Sequence, residues 1–443
     1  MTNFRASEGF FHEAARFSHR ASSTHRLLPA GVGLVNLTLW DRALAMTLDD
    51  FRSQTRDWLE AHCPASMRTR MRPGEEVNGG RKRQSSNPEA YLWLDRMAER
   101  GWTAPTWPVE YGGGGLSPSE FKILVEELQR IQARPPLGGM GLSMIGPTLL
   151  EYGTDAQKAR HLPKIARGDI AWCQGYSEPG AGSDLASLQT KAEDCGDHYL
   201  VNGGKIWTSG ALHADWIFCL VRTRTDVPKH EGISFLLFSM DSPGVTVKPI
   251  QLINGDSPFC QTFFDNVQVP KDDLVHRENQ GWTVAKRLLQ HERSGLSMLA
   301  NADTAGPLER IKPDSDWGTL IDHYLSENVS ERAAIRGRIS EIDMLRRSFL
   351  ITQKRALAER QHEVPGAATS IFKYVEAELV KSQLEMQQTL RGSQALGWRG
   401  EGFSDEELKM NRLNYEAKSI SIAGGSNEIQ LNIIAKRVLG LPD

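Results

Sequence analysis

The apolar residues of this chain change their spacing twice, and that double change leaves few architectures open. From Leu48 to about Gly168 they fall at helical intervals, as in Phe51, Trp58 and Leu59, in Tyr91, Leu92, Leu94 and Met97, and in Phe121, Leu124, Val125 and Leu128, the pattern of helices that bury one face. Between Ile170 and Pro270 the pattern becomes short β-rich runs: His198 to Val201, Lys205 to Trp207, Trp216 to Arg222, Ile233 to Phe238, Val245 to Ile250 and Gln261 to Val269. Gly, Asn, Asp and Pro punctuate them, as in a compact antiparallel barrel. From Gly281 the helical interval returns and persists. The expected fold is α+β: an N-terminal helical domain over 46–169, a central antiparallel β-barrel over 170–280, and a C-terminal four-helix bundle over 281–443.

Residues 1–45 stand apart. They hold Arg5, Arg16, Arg20 and Arg26 with several Ser and His and few acids, a composition similar to a mitochondrial presequence. The alternative, preferred here, is an upstream start before Met46, where Thr47 to Phe51 opens a helix. The expectation is a poorly ordered extension on a cytoplasmic bacterial protein.

With 443 residues the chain has room for two or three domains. Its net charge is −3 and its Lys and Arg are scattered, so it carries no footprint for nucleic acid. The five cysteines, Cys63, Cys173, Cys195, Cys219 and Cys260, are odd in number and form no C-x-x-C pair, which fits reduced buried thiols and argues against a metal site. No apolar run approaches the ~18–20 residues that cross a bilayer.

One loop carries the most chemical information. Gly175-Tyr-Ser-Glu-Pro-Gly-Ala-Gly-Ser-Asp184 gathers small residues and hydroxyls; Gly180 and Gly182 let backbone N–H groups approach a phosphate or a ring edge, and Ser177 and Ser183 add donors. Surface turns collect the same residues, so the loop gains meaning from its company: Asn202-Gly-Gly-Lys-Ile-Trp-Thr-Ser-Gly210 and Gly424-Gly-Ser-Asn-Glu-Ile-Gln430. By contrast Tyr111-Gly-Gly-Gly-Gly115 precedes no Gly-Lys-Ser/Thr and is expected to be a connector. Arg81-Lys-Arg83 is expected to be a solvated loop, with contact to a CoA phosphate as the alternative.

These three motifs, in this order, resemble those of the acyl-CoA dehydrogenase family, from about Met46 to the end. The resemblance implies FAD as hydride acceptor, with Tyr176 and Ser177 against its pyrimidine edge, Gly182 and Ser183 at the pyrophosphate, Trp207 covering the ring and Ser209 near N5. For Trp207 a plain barrel-core aromatic is the competing role. Gln388 and Gly392 match the segment that meets the cofactor from an adjacent subunit, although Arg391 stands where one glycine is usual. The family's adenosine-gripping signature is missing from Ile335 to Ile351. Ser426 and Glu428 match contacts to the diphosphate and ribose; helix capping alone would also explain Ser426.

The chemistry needs a carboxylate to take the α-proton of an acyl-CoA thioester. Many family members carry it at the position of Gly424, where this chain has no side chain. Branched-chain and long-chain members place it on the first helix of the C-terminal bundle, and Glu292 matches there. Glu292 also lies four residues from Leu288 and from Leu296, on an apolar stripe that would raise its pKa towards that of a better base. The competing role is an ion pair with Arg287, Arg293 or a bundle neighbour. His291 points about 100° away. Gly424 keeps its N–H, which would hydrogen-bond the thioester oxygen.

The expected partners are an acyl-CoA, leaning to branched, cyclic or bulky chains, an electron-transferring flavoprotein, and further subunits in a homotetramer, a mixed α2β2 assembly or a dimer. Relatives that act on steroid side chains share the altered features. Two alternatives remain: a flavin-dependent monooxygenase on the same fold, and a weakly catalytic partner subunit. A DNA-protective module is disfavoured by balanced charge after Gly281.

Overall fold

The computed structural model describes residues 47–69, 71, 75–82, 85–299, 317–324, 329–359 and 369–442, without the side chains of 292–299, 319, 329–331, 357–359 and 369–370. The extension over 1–45 and Arg83 lie outside the described residues.

The N-terminal domain is built from α1 (Leu48–His62), α2 (Pro88–Glu99), α3 (Pro118–Arg130), α4 (Gly146–Tyr152) and α5 (Asp155–Ala166). Local chemistry sets several starts. Asn87 accepts from Glu89 N with proline at the first position of α2, and Ser117 with Glu120 and Thr154 with Gln157 form capping boxes. Leu59, Trp93, Met97 and Leu124 fill the core. The buried face of α2 is turned from the expected one: Trp93 is fully buried, its Nε1 donating to Arg134 O at 3.0 Å, while Leu92 is exposed. In α3, Ile123 and Leu124 point inward and so does Glu127, which Arg52, Arg56 and Arg130 neutralise. The glycines of the 111–115 connector serve close packing, since a side chain at Gly113 would collide with Trp107.

Seven strands follow, β1 (Trp172–Gly175), β2 (Lys191–Asp194), β3 (His198–Ser209), β4 (Trp216–Arg222), β5 (Ile233–Ser239), β6 (Val245–Ile250) and β7 (Phe259–Pro270). They form one sheet of order β1-β4-β2-β3-β7-β6, with β5 also on β4. The ladders β2–β3, β3–β7, β4–β5 and β6–β7 are antiparallel, while β1 runs parallel to β4 and β2 meets it at one parallel pair. The four-residue strands β1 and β2 were not anticipated, and the runs at His198 and Lys205 are one strand. Its two irregularities against β7, between Val201 and Gly203 and between Lys205 and Thr208, bend the sheet.

Strand β4 is fully buried from Ile217 to Val221 because it is covered on both faces. Phe218 and Leu220 face a core shared with Ile145, Leu149, Val284 and Leu288, whereas Ile217, Cys219 and Val221 face the half-barrel interior with Val201, Phe264 and Val267. The first core thus joins all three regions.

The C-terminal region contains α6 (Gly281–Leu299), α7 (Trp317–Tyr324), α8 (Val329–Glu359), α9 (Thr369–Arg391), α10 (Asp405–Ala417) and α11 (Asn427–Ile433). Helix α6 starts hard against β5, where Gly281 leaves no room for a Cβ beside Ser234. Helix α9 is the central rod, with Ala377, Val380, Leu384 and Leu390 buried. Cys63, Cys173, Cys219 and Cys260 are buried and free; Cys195 is exposed, on the tight turn between β2 and β3. Among the described residues no group could hold a metal ion, and no helix is long and apolar enough to cross a membrane.

Candidate active site

The Gly175–Asp184 loop leaves β1 and lies against β3, where Ile206 N donates to Ser177 O at 2.9 Å. A tight reciprocal pair, Glu178 with Ala181, shapes it. Beyond that pair it opens: a Cβ at Gly180 or Gly182 would meet nothing within 4 Å, and the N–H groups of Gly182 and Ser183 find no acceptor among the described residues. The glycines here are therefore free of any packing demand, unlike those at 111–115. Ser183 is exposed and Ser177 half-buried. The Tyr176 ring is buried, edge-on to Phe218 and Phe235.

The underside of the loop is ionic. The Lys205 ammonium, fully buried, donates to Glu178 Oε1 at 2.8 Å and to Tyr176 O at 3.1 Å. Glu178 also accepts from the N–H groups of Gln189 at 2.7 Å and Thr190 at 2.9 Å. Burial, the largest single influence, acts to raise the Glu178 carboxyl, but the Lys205 charge and the hydrogen bonds from Lys205, Thr190 and Gln189 together outweigh it, holding the group below the usual carboxylate range. Arg222 donates to Ala186 O at 2.6 Å, to Leu188 O at 3.1 Å and to Lys229 O at 2.6 Å.

Trp207 is not a barrel-core aromatic. It is 52% exposed and holds φ at 60°, touching Phe259 edge-on at 6.1 Å. A bulky residue in the left-handed region is a rare outlier, and strain of this kind points to function. Ser209 ends the strand, half-buried. The turn after it is tied to the N-terminal domain: Lys82 Nζ donates to Leu212 O at 2.8 Å, and Arg81 Nε to Asp215 Oδ1 at 2.7 Å. Arg81 also pairs with Asp241. Arg81 and Lys82 thus lie exposed on a loop, as expected, and in addition tie two domains together.

Glu292 lies on α6, four residues past the fully buried Leu288; its side chain and those of Arg293 and Leu296 lie outside the described residues. Arg287, a candidate counter-ion, is engaged elsewhere. Its guanidinium grips Glu151 of α4 through two 2.7 Å hydrogen bonds, and His291 Nε2 lies 3.1 Å from the same carboxylate. Burial pushes the His291 pKa down, and Glu151 opposes this. These contacts pin the helix that carries Glu292.

At the C-terminus, Gly424 and Gly425 have φ of 65° and 92°, conformations that favour glycine. Gly424 borders open space and its N–H finds no acceptor among the described residues. Ser426 caps α11 by accepting from Ile429 N at 3.4 Å, and Glu428 is exposed beside it. The segment is fastened to α9, Lys373 donating to Ile420 O at 2.9 Å and Asn427 to Glu378 at 2.7 Å. Gln388 is half-buried and donates to Met410 O at 3.4 Å; Gly392 is exposed with φ of 52°. Arg391, the unusual residue between them, is buried with its guanidinium 5.7 Å from the Tyr324 ring centroid. The structure joins the loop to β3 and leaves the C-terminal motif on α9, with no hydrogen bond from Gly424–Gln430 to the sheet.

Sequence reasoning missed Glu178, Lys205, Arg222, Glu151 and Asp215. Glu178 and Lys205 stood inside the two quoted motifs, and a Lys in an alternating strand was the available signal. Nothing local marked the others, whose partners are remote in sequence.

Comparison with known proteins places the three regions in one family. The family models for the N-terminal, middle and C-terminal domains of acyl-CoA dehydrogenases match residues 47–169, 173–267 and 279–439. Acyl-CoA dehydrogenase IpdE1 of Mycobacterium tuberculosis is 35% identical over 403 residues, spanning 89% of this chain and 98% of its own length. Among solved structures, the Tcur3481-Tcur3483 steroid acyl-CoA dehydrogenase superposes with a TM-score of 0.66 at 30% identity, covering 89% of this chain and 97% of that one. The ChsE4-ChsE5 complex from Mycobacterium tuberculosis gives 0.61 at 28%, covering 89% and 98%. The three matched regions and their order are those of one lineage of oxidoreductases: the chain belongs to the acyl-CoA dehydrogenase family.

Proposed function

We propose that this acyl-CoA dehydrogenase binds FAD on the Tyr176–Ser183 loop and the Trp207–Ser209 strand end, and takes the α-proton of a bulky acyl-CoA with Glu292. The observations that carry the reading are the exposed, left-handed Trp207 and the unpaired amides of Gly182 and Ser183, on a strand end and a loop joined by the Ile206 N–H to Ser177 O bond. An indole face and two N–H donors in open space fit a planar ring bearing a diphosphate. Ser426, Glu428, Gln388 and Gly392 would complete the hold on the diphosphate and adenosine side. When bound, FAD accepts the hydride that leaves the β-carbon.

The chain's own residues supply the rest. Glu292 removes the α-proton, and its helix is kept in register by the Glu151 contacts to Arg287 and His291. The Gly424 N–H donates to the thioester oxygen and stabilises the charge that grows there as the proton leaves. Trp207 and the buried Tyr176 wall exclude water from the ring face. Electrons then pass to an electron-transferring flavoprotein.

The steroid-acting relatives support a polycyclic or otherwise bulky acyl group, and the heteromeric ones support a mixed assembly over a homotetramer. Met344 and Ile351, exposed on α8, suit burial against another subunit. The test is to purify the protein, record whether FAD copurifies, and follow anaerobic bleaching of the flavin across CoA thioesters of short, branched and steroid-like acyl groups. Glu292→Gln should retain FAD and lose bleaching by at least ~100-fold, the scale of general-base catalysis. Unchanged bleaching removes Glu292 from the role, and NADPH-dependent oxygen consumption without bleaching selects the monooxygenase reading.

A further inference from the structure

We infer that the buried Lys205–Glu178 pair is the positioning device of the cofactor loop, a single anchor that holds the Ser177 amide and the Trp207 indole in one fixed relation. The inference rests on the FAD reading above and names residues to which no contact with the ligand is assigned.

Lys205 has no solvent exposure, yet it lies two positions from the most exposed side chain of its strand end. In a regular strand residues two apart share a face. The irregularity between Lys205 and Thr208, with φ of 60° at Trp207, breaks that rule and turns one side chain inward and the other outward. The ammonium then reaches the loop, taking Tyr176 O and Glu178 Oε1. Every peptide here is trans, so drawing the Tyr176 carbonyl inward directs the Ser177 N–H to the opposite side, away from Lys205. That N–H meets no acceptor among the described residues. Glu178 closes the far end of the loop by accepting from Gln189 and Thr190, and Ile206, next to Lys205, donates to Ser177 O. Residues 176–190 are thus clamped from beneath at both ends while Gly180, Gly182 and Ser183 stay exposed above. A loop so fixed does not have to be ordered by its ligand, which is how preorganisation raises affinity.

Removing one charge alone would strand the other in the interior, so the decisive variant is the double Lys205→Met, Glu178→Gln, whose single amide oxygen keeps an acceptor for only one of the Gln189 and Thr190 N–H groups that now bond separate carboxylate oxygens. The full-length protein is stripped of flavin, peptide hydrogen exchange is measured, and FAD is titrated by flavin fluorescence and by the shape of its visible absorption band. Expected is a cooperative melt, loss of protection confined to 176–190, a dissociation constant raised ~10-fold or more, and a blurred band. Unchanged protection in that segment overturns the inference, as does protection lost evenly across the sheet with FAD affinity per folded molecule intact. Should the double variant not fold, Glu178→Gln alone is read by the same exchange, where unaltered protection at Gln189 and Thr190 again overturns it. If the parent protein takes up no FAD, the functional reading fails, and the exchange arm still decides whether the clamp exists.

Discussion

Replacing Trp207 by glycine should separate fold from function, because the two respond differently. Three small terms act on the protein without ligand. Relief of left-handed strain favours the variant by about 1–2 kcal/mol, loss of the edge contact with Phe259 costs about 0.5–1.5 kcal/mol, and the extra freedom of glycine in the unfolded chain costs about 0.5–1 kcal/mol. They nearly cancel, so stability should stay within about 1 kcal/mol of the parent. The ligand-bound state loses more. A Trp side chain presents at most roughly 250 Å², and 52% of Trp207 is exposed, leaving about 130 Å². Covering half of this with a ring is worth about 1.6 kcal/mol at roughly 25 cal/mol per Å², or about 15-fold in the dissociation constant. Thermal melting of the flavin-free protein and FAD titration read the two effects separately. A loss of about 3–5 kcal/mol, the cost of truncating a core tryptophan, with FAD affinity unchanged would show Trp207 to be a packing residue and refute the reasoning.

Glu127 should make the α1–α3 contact acid-sensitive. Hydrogen bonds from Arg56 chiefly, against opposing burial, and then from Arg130 and Arg52 hold its carboxyl at about 2, below its ordinary value of 4.5. Its contribution is therefore complete above about 4.5 and is lost as pH falls towards 2. The arginine partners are each more than a third exposed, so solvent screening leaves a contribution of about 1–2 kcal/mol. Exchange protection in α1 and α3 should separate parent from Glu127→Gln at pH 7, draw together below about pH 4.5 and converge near pH 2; a constant gap contradicts the assignment. Asp215→Ala leaves the Ala171 and Arg81 donors without their buried acceptor and should destabilise by about 1–3 kcal/mol in a denaturant titration, an unaffected midpoint counting against the interdomain anchor. Gly424→Ala keeps the N–H in open space at φ of 65°; turnover should fall less than ~10-fold with a strain cost of about 1–2 kcal/mol, and a far larger loss with FAD bound would mean that more than the amide acts there.

The order of domains was legible in the chain because apolar spacing reports which face of an element is covered. Phase was less legible. A one-residue error on α2 exchanged Trp93 for Leu92, since both are large and apolar and only the neighbouring helices decide which is covered. Strands β1 and β2 escaped notice because four residues carry little periodicity, and β1 is paired to β4 over forty residues away. Nothing in the spacing of α3 marked Glu127 as buried; three arginines from two helices converge on it.

The candidate site divides in the same way. Sequence alone determined the small-residue loop, the strand motif, the glycine in place of a carboxylate at 424 and the alternative acid at 292, because these are properties of residue type and spacing. Only tertiary structure decided that Tyr176 turns into the core, that Trp207 is forced outward, that Lys205 is an interior anchor, and that Arg81 and Glu151 tie the N-terminal domain to the sheet and to α6. The physical reason is that an ion pair or a buried ring is defined by its partner. A partner distant in sequence acts through a contact that neither local propensity nor periodicity encodes.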